Sequence, residues 1–313
     1  MLPEGINLKG RDFLTLLDYT TQEILALIDL AGDLKRLKKN NVPHPYLQGK
    51  TLGMIFQKSS TRTRVSFEVG MYQLGGYPLF LSAGDLQLNR GESIADTART
   101  LSRYLDGIMI RTYVHSDIEE LAHYADIPVI NGLTDLLHPC QVMADLLTVK
   151  ERKGRLAGLR LAYVGDGNNM CNSLLIGCAK VGMDIAVASP EGYLPQERIV
   201  REAQAVAVQS GTRIHITTDP VAAVTGADVV VTDVWASMGQ EAERDQRVAV
   251  FTPYQVDREL TAHAKPDYIF MHCLPAHRGQ EVTAEIIDGP HSVVWDEAEN
   301  RLHAQKAVLA ALL

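Results

Sequence analysis

Apolar and polar positions alternate along the chain in blocks that predict strands and helices in regular succession. Short apolar runs, such as 52–56 and 159–164, have the length of buried strands. Longer segments with apolar residues three and four apart predict helices, and a capping box from Thr20 to Glu23 marks the start of the first one. Strands alternating with helices of these lengths predict an α/β fold with doubly wound parallel sheets.

The alternation occurs twice, on either side of a charged run at 150–154. Because 313 residues exceed what one hydrophobic core usually supports, we expect two domains, at 1–150 and 151–295, followed by a C-terminal segment at 296–313. The predicted strands cover 52–56, 77–81, 107–110, 129–130, 159–164, 185–188, 213–216, 228–232 and 269–271. Four of the predicted helices can be given both a first and a last residue: 93–104, 116–124, 196–209 and 300–313.

The helix predicted after residue 60 has two apolar flanks. Val65, Val69 and Tyr72 form one stripe at helical spacing, and Phe67 and Met71 belong to the second. We expect the stripe to face the core and the second flank to be buried beside it.

Composition narrows the class of protein. The chain is 46% hydrophobic and 22% charged with a net charge of −8, which is typical of a globular protein and argues against broad binding to nucleic acid or anionic membranes. The four cysteines form no CxxC pair, and neither a signal pattern nor an apolar run of membrane-spanning length is present. We expect a soluble cytoplasmic protein.

The polar octet at 57–64 is the strongest candidate for chemistry. It follows a predicted buried strand and leads into a helix, with Ser60 or Thr61 as N-cap. A helix N-terminus favours an anion, and Lys58, Arg62 and Arg64 add cationic donors suited to phosphate. In an acidic protein this local cluster predicts an oxyanion site rather than an ordinary capped helix.

Six polar clusters fall at or just after the carboxyl ends of predicted strands, the edge where open parallel sheets bind ligands. Each alone has an ordinary structural explanation, such as a turn, a cap or a buried histidine, and their joint occurrence favours a site. The clusters are 60–64, Arg111-Thr112, 138–141, Asn168-Asn169, 233–239 and 272–275.

Two other interpretations are weaker. The turn at 165–169 has two of the three glycines of a dinucleotide-binding motif and lacks the acidic residue that would hold a ribose. His272, Cys273 and His277 do not have the spacing of a usual zinc site, and no fourth ligand is evident. We therefore predict no metal and no cofactor.

Five motifs, in order from about residue 50 to the C-terminus, resemble the ornithine branch of the aspartate/ornithine carbamoyltransferase family. The loop at 237–239 and Cys273 resemble that branch in particular, whereas the aspartate branch has a proline where Cys273 stands and a Ser/Lys pair in the loop at 87–93. This loop has Arg90-Gly91 and no lysine, which leaves the role of Arg90 open. The motifs are 60–64, 138–141, 233–239, 272–275 and 299–301.

The resemblance implies transfer of a carbamoyl group from carbamoyl phosphate to the side-chain amine of L-ornithine, giving citrulline and phosphate, in arginine biosynthesis or, in reverse, arginine catabolism. It implies Arg111, His138, Asp233 and Cys273 as catalytic residues. The C-terminal helix is expected to return to the first domain, where Arg301 completes a phosphate clamp. The carbamoyl phosphate residues implied are Ser60, Thr61, Arg62, Thr63, Gln87, Arg111, His138, Pro139, Cys140, Gln141, Cys273, Leu274 and Arg301.

Ornithine contacts are implied at Asn169, Asp233, Ser237 and Met238, and the family assembly implied is a homotrimer or a trimer of trimers. Two alternatives stay open at this point. One is a carbamoyltransferase for another amine, such as putrescine or an acylated ornithine. The other is a non-catalytic anion- or nucleotide-binding protein of the same fold.

Overall fold

The computed structural model describes residues 2–236 and 241–313, without the side chains of residues 89, 90 and 241. Two compact units divide the chain: unit 1 comprises residues 1–147 and 299–313, and unit 2 comprises residues 148–298. The C-terminal helix returns to the first unit, as expected. No helix within the described residues is long and apolar enough to cross a membrane.

Unit 1 is built on a four-stranded, fully parallel sheet in the order β2-β1-β3-β4. Its strands are β1 (Thr51–Phe56), β2 (Tyr77–Ser82), β3 (Gly107–Arg111) and β4 (Val129–Leu133). Its helices are α1 (Thr21–Lys39), α2 (Thr61–Gln73), α3 (Ile94–Leu101), α4 (His115–Tyr124) and most of α5 (Pro139–Lys153), with short 3-10 turns at Leu16–Asp18 and Gln87–Arg90.

Unit 2 is built on a five-stranded parallel sheet in the order β7-β6-β5-β8-β9. Its strands are β5 (Arg160–Val164), β6 (Asp184–Ala188), β7 (Ile214–Thr217), β8 (Val229–Thr232) and β9 (Ile269–His272). Its helices are α6 (Asn169–Val181), α7 (Glu197–Ser210), α8 (Pro220–Val224), α9 (Arg244–Phe251), α10 (Arg258–Thr261) and α11 (Ala284–Ile287), with 3-10 turns at Glu241–Glu243 and Thr252–Tyr254. The last helix, α12 (Val294–Leu312), begins in unit 2 and belongs to unit 1 from residue 299.

These two parallel sheets with interleaved helices confirm the predicted fold class. The first helix also begins as predicted, because the Thr20 hydroxyl accepts from the Glu23 N–H while the Glu23 carboxylate accepts from the Thr20 N–H at 2.7 Å. The helix predicted at 93–104 is shorter, and the strand predicted at 129–130 extends to Leu133.

The prediction that the stripe of Val65, Val69 and Tyr72 on α2 faces the core was wrong. Val65, Val69 and Tyr72 are exposed, whereas Phe67 and Met71 are completely buried. Two flanks of this helix are apolar, and the buried one contains Phe67, Gly70 and Met71, with Gly70 facing Leu302 and Lys306 of α12.

In each sheet the strand order reverses at one place, which leaves a crevice at the carboxyl ends of the two central strands. That place lies between β1 and β3 in unit 1, and between β5 and β8 in unit 2. The turns after these four strands contain four of the six polar clusters found in the sequence.

Candidate active site

The turn between β1 and α2 is a capped helix N-terminus. Ser60 is the N-cap, and its hydroxyl accepts from the Thr63 N–H at 3.2 Å. Thr61, Arg62 and Thr63 occupy the first turn of α2, where backbone N–H groups and the helix dipole favour an anion.

Arg62 and Lys58 provide positive charge at this turn. The Nε of Arg62 is buried, and within the described part of the chain no acceptor reaches it. The Lys58 ammonium is also buried, where it donates to Asp135 at 3.1 Å and lies 4.9 Å from the centre of the Tyr113 ring. Lys58 is thus partly neutralised by the protein, whereas the Arg62 Nε–H is a buried donor of the kind that a bound oxyanion would satisfy.

Thr63 joins three segments that are far apart in sequence. Its hydroxyl oxygen accepts from the Arg111 guanidinium at 3.4 Å and from the Arg301 guanidinium at 2.9 Å. Arg111 ends β3 and Arg301 lies on α12, and both are buried. The structure therefore assembles two further arginines at the α2 N-terminus.

His138 lies beside the same cationic group, immediately before α5. Burial and the nearby charges of Arg301, Arg111 and Arg62, together with Lys58, hold the pKa of its imidazole well below the usual value. The neutral ring can donate one hydrogen bond to a ligand oxygen without serving as a strong acid.

The residues after His138 form the first turn of α5. Pro139 begins the helix, and the thiol of Cys140 donates to the Asn131 carbonyl at 3.3 Å. Burial raises the pKa of Cys140 to about 12, so this thiol is not a nucleophile at neutral pH. The Gln141 Nε2 donates to the Asp145 carboxylate at 2.8 Å.

Two polar residues of unit 1 lie apart from this cluster. Gln87 is exposed in the short turn after β2, and within the described chain no hydrogen bond joins it to the α2 turn. Arg64 is exposed, pairs with Glu68 and stacks 3.7 Å from the centre of the Phe80 ring.

Unit 2 brings the turns after β5 and β8 together. Asn168 is the N-cap of α6, and its side-chain N–H donates to Asp233 at 2.8 Å. Asn169 and Asp233 are both largely buried. A carboxylate with buried neighbours is suited to hold an ammonium group.

Cys273, directly after β9, completes this group. Its thiol donates to Asp233 at 3.1 Å, whereas Cys171 and Cys178 are buried in α6. Leu274 has a φ of 59°, and its N–H donates to the Nδ1 of His272 at 2.9 Å. The turn after β9 is thus held from within by the His272 ring.

The loop that begins at Trp235 is anchored at its start. The Trp235 ring stacks on Phe251, and the backbone carbonyl of Trp235 accepts a hydrogen bond from the buried Arg247 at 3.0 Å. Ser237 and Met238, which the resemblance assigns to ornithine, lie outside the described residues.

Three metal-ligating side chains converge in unit 2, although the set differs from the one considered from the sequence. Donor atoms of Asp233, His272 and Cys273 lie within 4.8 Å of one another, and His277 is not among them. Both ring nitrogens of His272 face protein groups, the Leu274 N–H and, at 3.3 Å, the buried carboxylate of Glu281. Without breaking these contacts the cluster offers fewer ligands than zinc requires.

Sequence reasoning missed the residues that hold others in place. Asn168 was interpreted as part of a turn, although an Asn before a helix is a strong N-cap signal. Glu281 is fully buried against His272, and its position six residues after the 272–275 motif gives no local signal. A buried acidic residue of this kind is visible only in the fold.

The turn at 165–169 has an explanation within the protein. A Cβ at Gly167 would lie 2.3 Å from the Pro195 nitrogen, so the chain's own backbone requires glycine here. The glycine that suggested a dinucleotide site therefore serves close backbone packing.

Comparison with known proteins shows to which family the chain is related. The family model described as the carbamoyl-P binding domain of aspartate/ornithine carbamoyltransferase matches residues 11–151, and the Asp/Orn binding domain model matches residues 157–312. The chain is 68% identical to the ornithine carbamoyltransferase of Carboxydothermus hydrogenoformans over 97% of this chain and 98% of that protein.

Solved structures show the same family relationship. The ornithine carbamoyltransferase of Pyrococcus furiosus superposes with a TM-score of 0.96 at 59% identity, covering 98% of both chains. The Campylobacter jejuni anabolic enzyme superposes with a TM-score of 0.89 at 44% identity, covering 96% of this chain and 97% of that one. These matches confirm the resemblance found in the ordered motifs, and the chain belongs to the aspartate/ornithine carbamoyltransferase family.

Proposed function

We propose that this protein transfers the carbamoyl group of carbamoyl phosphate to the side-chain amine of L-ornithine, forming L-citrulline and phosphate. Binding of the phosphate group is supported by the buried Arg62 Nε, which lies at a capped helix N-terminus and has no acceptor in the described chain. The family relationship supports the second substrate, because relatives of 59–68% identity over nearly the whole chain are named ornithine carbamoyltransferases.

The phosphate group would be bound by the α2 N-terminus. Ser60, Thr61 and Thr63 supply backbone and hydroxyl donors, and the Arg62 and Arg301 guanidinium groups supply charge. Arg guanidinium groups fit phosphate bidentately, so the phosphate is both bound and oriented as a leaving group.

The carbamoyl carbonyl would be polarised by Arg111 and His138. Negative charge develops on this oxygen as the amine nitrogen bonds to the carbonyl carbon, and donors placed there stabilise the transition state. The carbon–oxygen bond to phosphate then breaks, the electron pair leaves with phosphate, and the attacking nitrogen loses one proton, which the departing phosphate can accept. The depressed pKa of His138 means that its ring is a neutral hydrogen-bond donor before the ligand binds.

Ornithine would be held by the groups of unit 2. Asp233 supplies a carboxylate for the α-ammonium, and Asn169, with Ser237 and Met238, supplies polar contacts for the zwitterion. Cys273 and Leu274 would orient the side-chain amine, which must lose its ammonium proton before it attacks.

A citrulline assay tests the proposal. Purified protein supplied with carbamoyl phosphate and ornithine should form citrulline and phosphate in equal amounts, and phosphate release should depend on ornithine. Faster turnover of putrescine or an acylated ornithine would assign another amine, whereas ligand binding without turnover would indicate an anion-binding protein. The Campylobacter jejuni relative is named anabolic, which supports a role in arginine biosynthesis.

We also propose a homotrimer, in line with the family. Support comes from exposed apolar side chains of unit 1, namely Val65, Val69 and Tyr72 on α2 and Tyr77 on the edge strand β2. Light scattering should give three times the chain mass, and Val69→Asp should shift the protein toward monomer if this face is the interface. A monomeric wild-type protein would contradict this assembly.

A further inference from the structure

Gln141 and Asp145 form a buried pair on one face of α5. They are four residues apart, so their side chains are neighbours on the helix. The Gln141 Nε2 donates to Oδ1 of Asp145 at 2.8 Å, and the two residues are 0% and 1% exposed. The proposed catalytic scheme gives Asp145 no contact with either substrate.

The hydrogen bond determines which way the Gln141 amide is turned. A carboxylate oxygen only accepts hydrogen bonds, whereas a glutamine amide has one accepting and one donating end. Because the NH2 of Gln141 is held by Asp145, the amide directs its oxygen away from Asp145.

We propose that Asp145 is a positioning residue that lets the site distinguish a carbamoyl group from an acetyl group. The inference rests on the proposed function and adds to it one contact: Gln141, one of the carbamoyl phosphate residues that the resemblance implies, would bind the carbamoyl NH2. A carbamoyl NH2 donates, so it needs the oxygen of Gln141. With the Gln141 amide reversed, two NH2 groups would face each other, and a buried donor would be left unsatisfied.

A merely structural role for Asp145 makes a different prediction. In that case its substitution would loosen α5 and weaken every ligand of the α2 turn by a similar factor. A positioning role weakens carbamoyl phosphate selectively. Acetyl phosphate distinguishes the structural role from the positioning role, because it has the same phosphate and carbonyl but a methyl group in place of NH2.

The test measures dissociation constants for carbamoyl phosphate, acetyl phosphate and inorganic phosphate by calorimetry at low temperature. In Asp145→Asn the side chain keeps its shape but can donate or accept, so it no longer selects one orientation of Gln141. We expect the preference for carbamoyl over acetyl phosphate to fall by about tenfold, the effect of one hydrogen bond of about 1.4 kcal/mol. Binding of inorganic phosphate should change by less than about twofold.

Asp228→Asn is a matched control. Asp228 is also a buried carboxylate, bonded to the Arg160 N–H and to Lys265 in unit 2, so its loss tests general destabilisation. It should lower thermal stability and leave the ligand preference unchanged.

A second comparison does not depend on Asp145→Asn folding. Gln141→Leu should itself remove the preference, and Gln141→Leu with Asp145→Leu should remove no more, because in this proposal Asp145 affects the preference through Gln141. A further loss in the double variant overturns the inference, as does an unchanged preference in Asp145→Asn. A wild-type protein with no preference for carbamoyl phosphate would instead overturn the proposed function.

Discussion

Units 1 and 2 contain the same kind of parallel sheet but gather opposite charges at the carboxyl ends of their strands. In unit 1 the α2 turn is surrounded by Arg62, Arg111 and Arg301. In unit 2 the corresponding turns converge on the Asp233 carboxylate, which Asn168 and Cys273 hold by hydrogen bonds. One architecture thus offers a site for an oxyanion in one unit and for an ammonium group in the other.

The two regions also differ in what holds them. The unit 1 group depends on a helix N-terminus and on buried guanidinium groups, which suit an anion. The unit 2 group depends on a short network of hydrogen bonds around the Asp233 carboxylate. The following experiments test the group in each unit, and then the roles of Cys273, of a histidine outside the site and of a metal ion.

The largest effect is expected in amine selection by unit 2. Putrescine lacks the carboxylate of ornithine, and sites built to bond a missing group discriminate by orders of magnitude. We expect kcat/KM to favour ornithine by at least about a hundredfold and aspartate to give no turnover. Asp233→Asn should weaken both ornithine and putrescine, because both amines keep the ammonium group that Asp233 is proposed to hold. Putrescine as the better substrate of the wild-type protein would contradict the ornithine assignment, while the carbamoyl phosphate site would stand.

A second large effect is expected on the unit 1 side. Arg62→Ala removes a charge-assisted contact to phosphate, which should cost about 1.5–3 kcal/mol, or about tenfold to 150-fold in kcat/KM for carbamoyl phosphate. Arg64→Ala is the matched control, because Arg64 lies in the same helical turn but is exposed and paired with Glu68. Steady-state kinetics that show similar losses in both variants would indicate a general effect on the helix rather than a phosphate contact.

The reactivity of the Cys273 thiol should fall when ligands for both units are bound. With carbamoyl phosphate and norvaline bound, we expect alkylation of Cys273 to slow by about tenfold or more, because burial blocks the thiolate. Cys171 and Cys178, both buried in α6, serve as internal references in peptide mapping. Cys273→Ser should weaken ornithine more than carbamoyl phosphate. Equal labelling rates with and without ligands would locate this thiol outside the site.

Acid should destabilise unit 1 through a histidine outside the site. Burial and nearby lysines lower the pKa of His303 from 6.5 to about 3, so below pH 6.5 the unfolded chain binds more protons than the folded one. Stability is therefore complete above pH 6.5 and is lost as the pH falls, by about 2 kcal/mol at pH 5 from this group.

Urea unfolding at pH 5 and pH 7 measures this loss. In His303→Leu the difference between the two pH values should shrink by about 2 kcal/mol, because the group that takes up the proton on unfolding is gone. An identical pH dependence in the wild type and the variant would show that His303 does not carry the effect.

The smallest expected effect is that of a chelator. The catalytic scheme uses arginines, a neutral histidine and a phosphate leaving group, and it needs no metal. Dialysis against a strong chelator should leave kcat and KM within error of the untreated protein. Activity that is lost on dialysis and restored by added zinc would show that Asp233, His272 and Cys273 hold a required ion.

The sequence by itself determined the features that are local. The capping box from Thr20 to Glu23, an N-cap at Ser60 or Thr61 and the alternation of strands and helices all depend on neighbours within a few residues, and the structure selects Ser60 as the cap. The candidate site followed from the same pattern, because the carboxyl end of each parallel strand can be located along the chain without knowing the sheet order.

Only the tertiary structure decided which faces and partners are used. Both flanks of α2 are apolar, and only the folded structure shows that Phe67 is buried and Val65 exposed. Arg301 meets Thr63 across 238 positions, and no periodicity in the chain encodes that distance. The orientation of the Gln141 amide likewise depends on the carboxylate that faces it, because a glutamine has two chemically opposite ends and only its surroundings select between them.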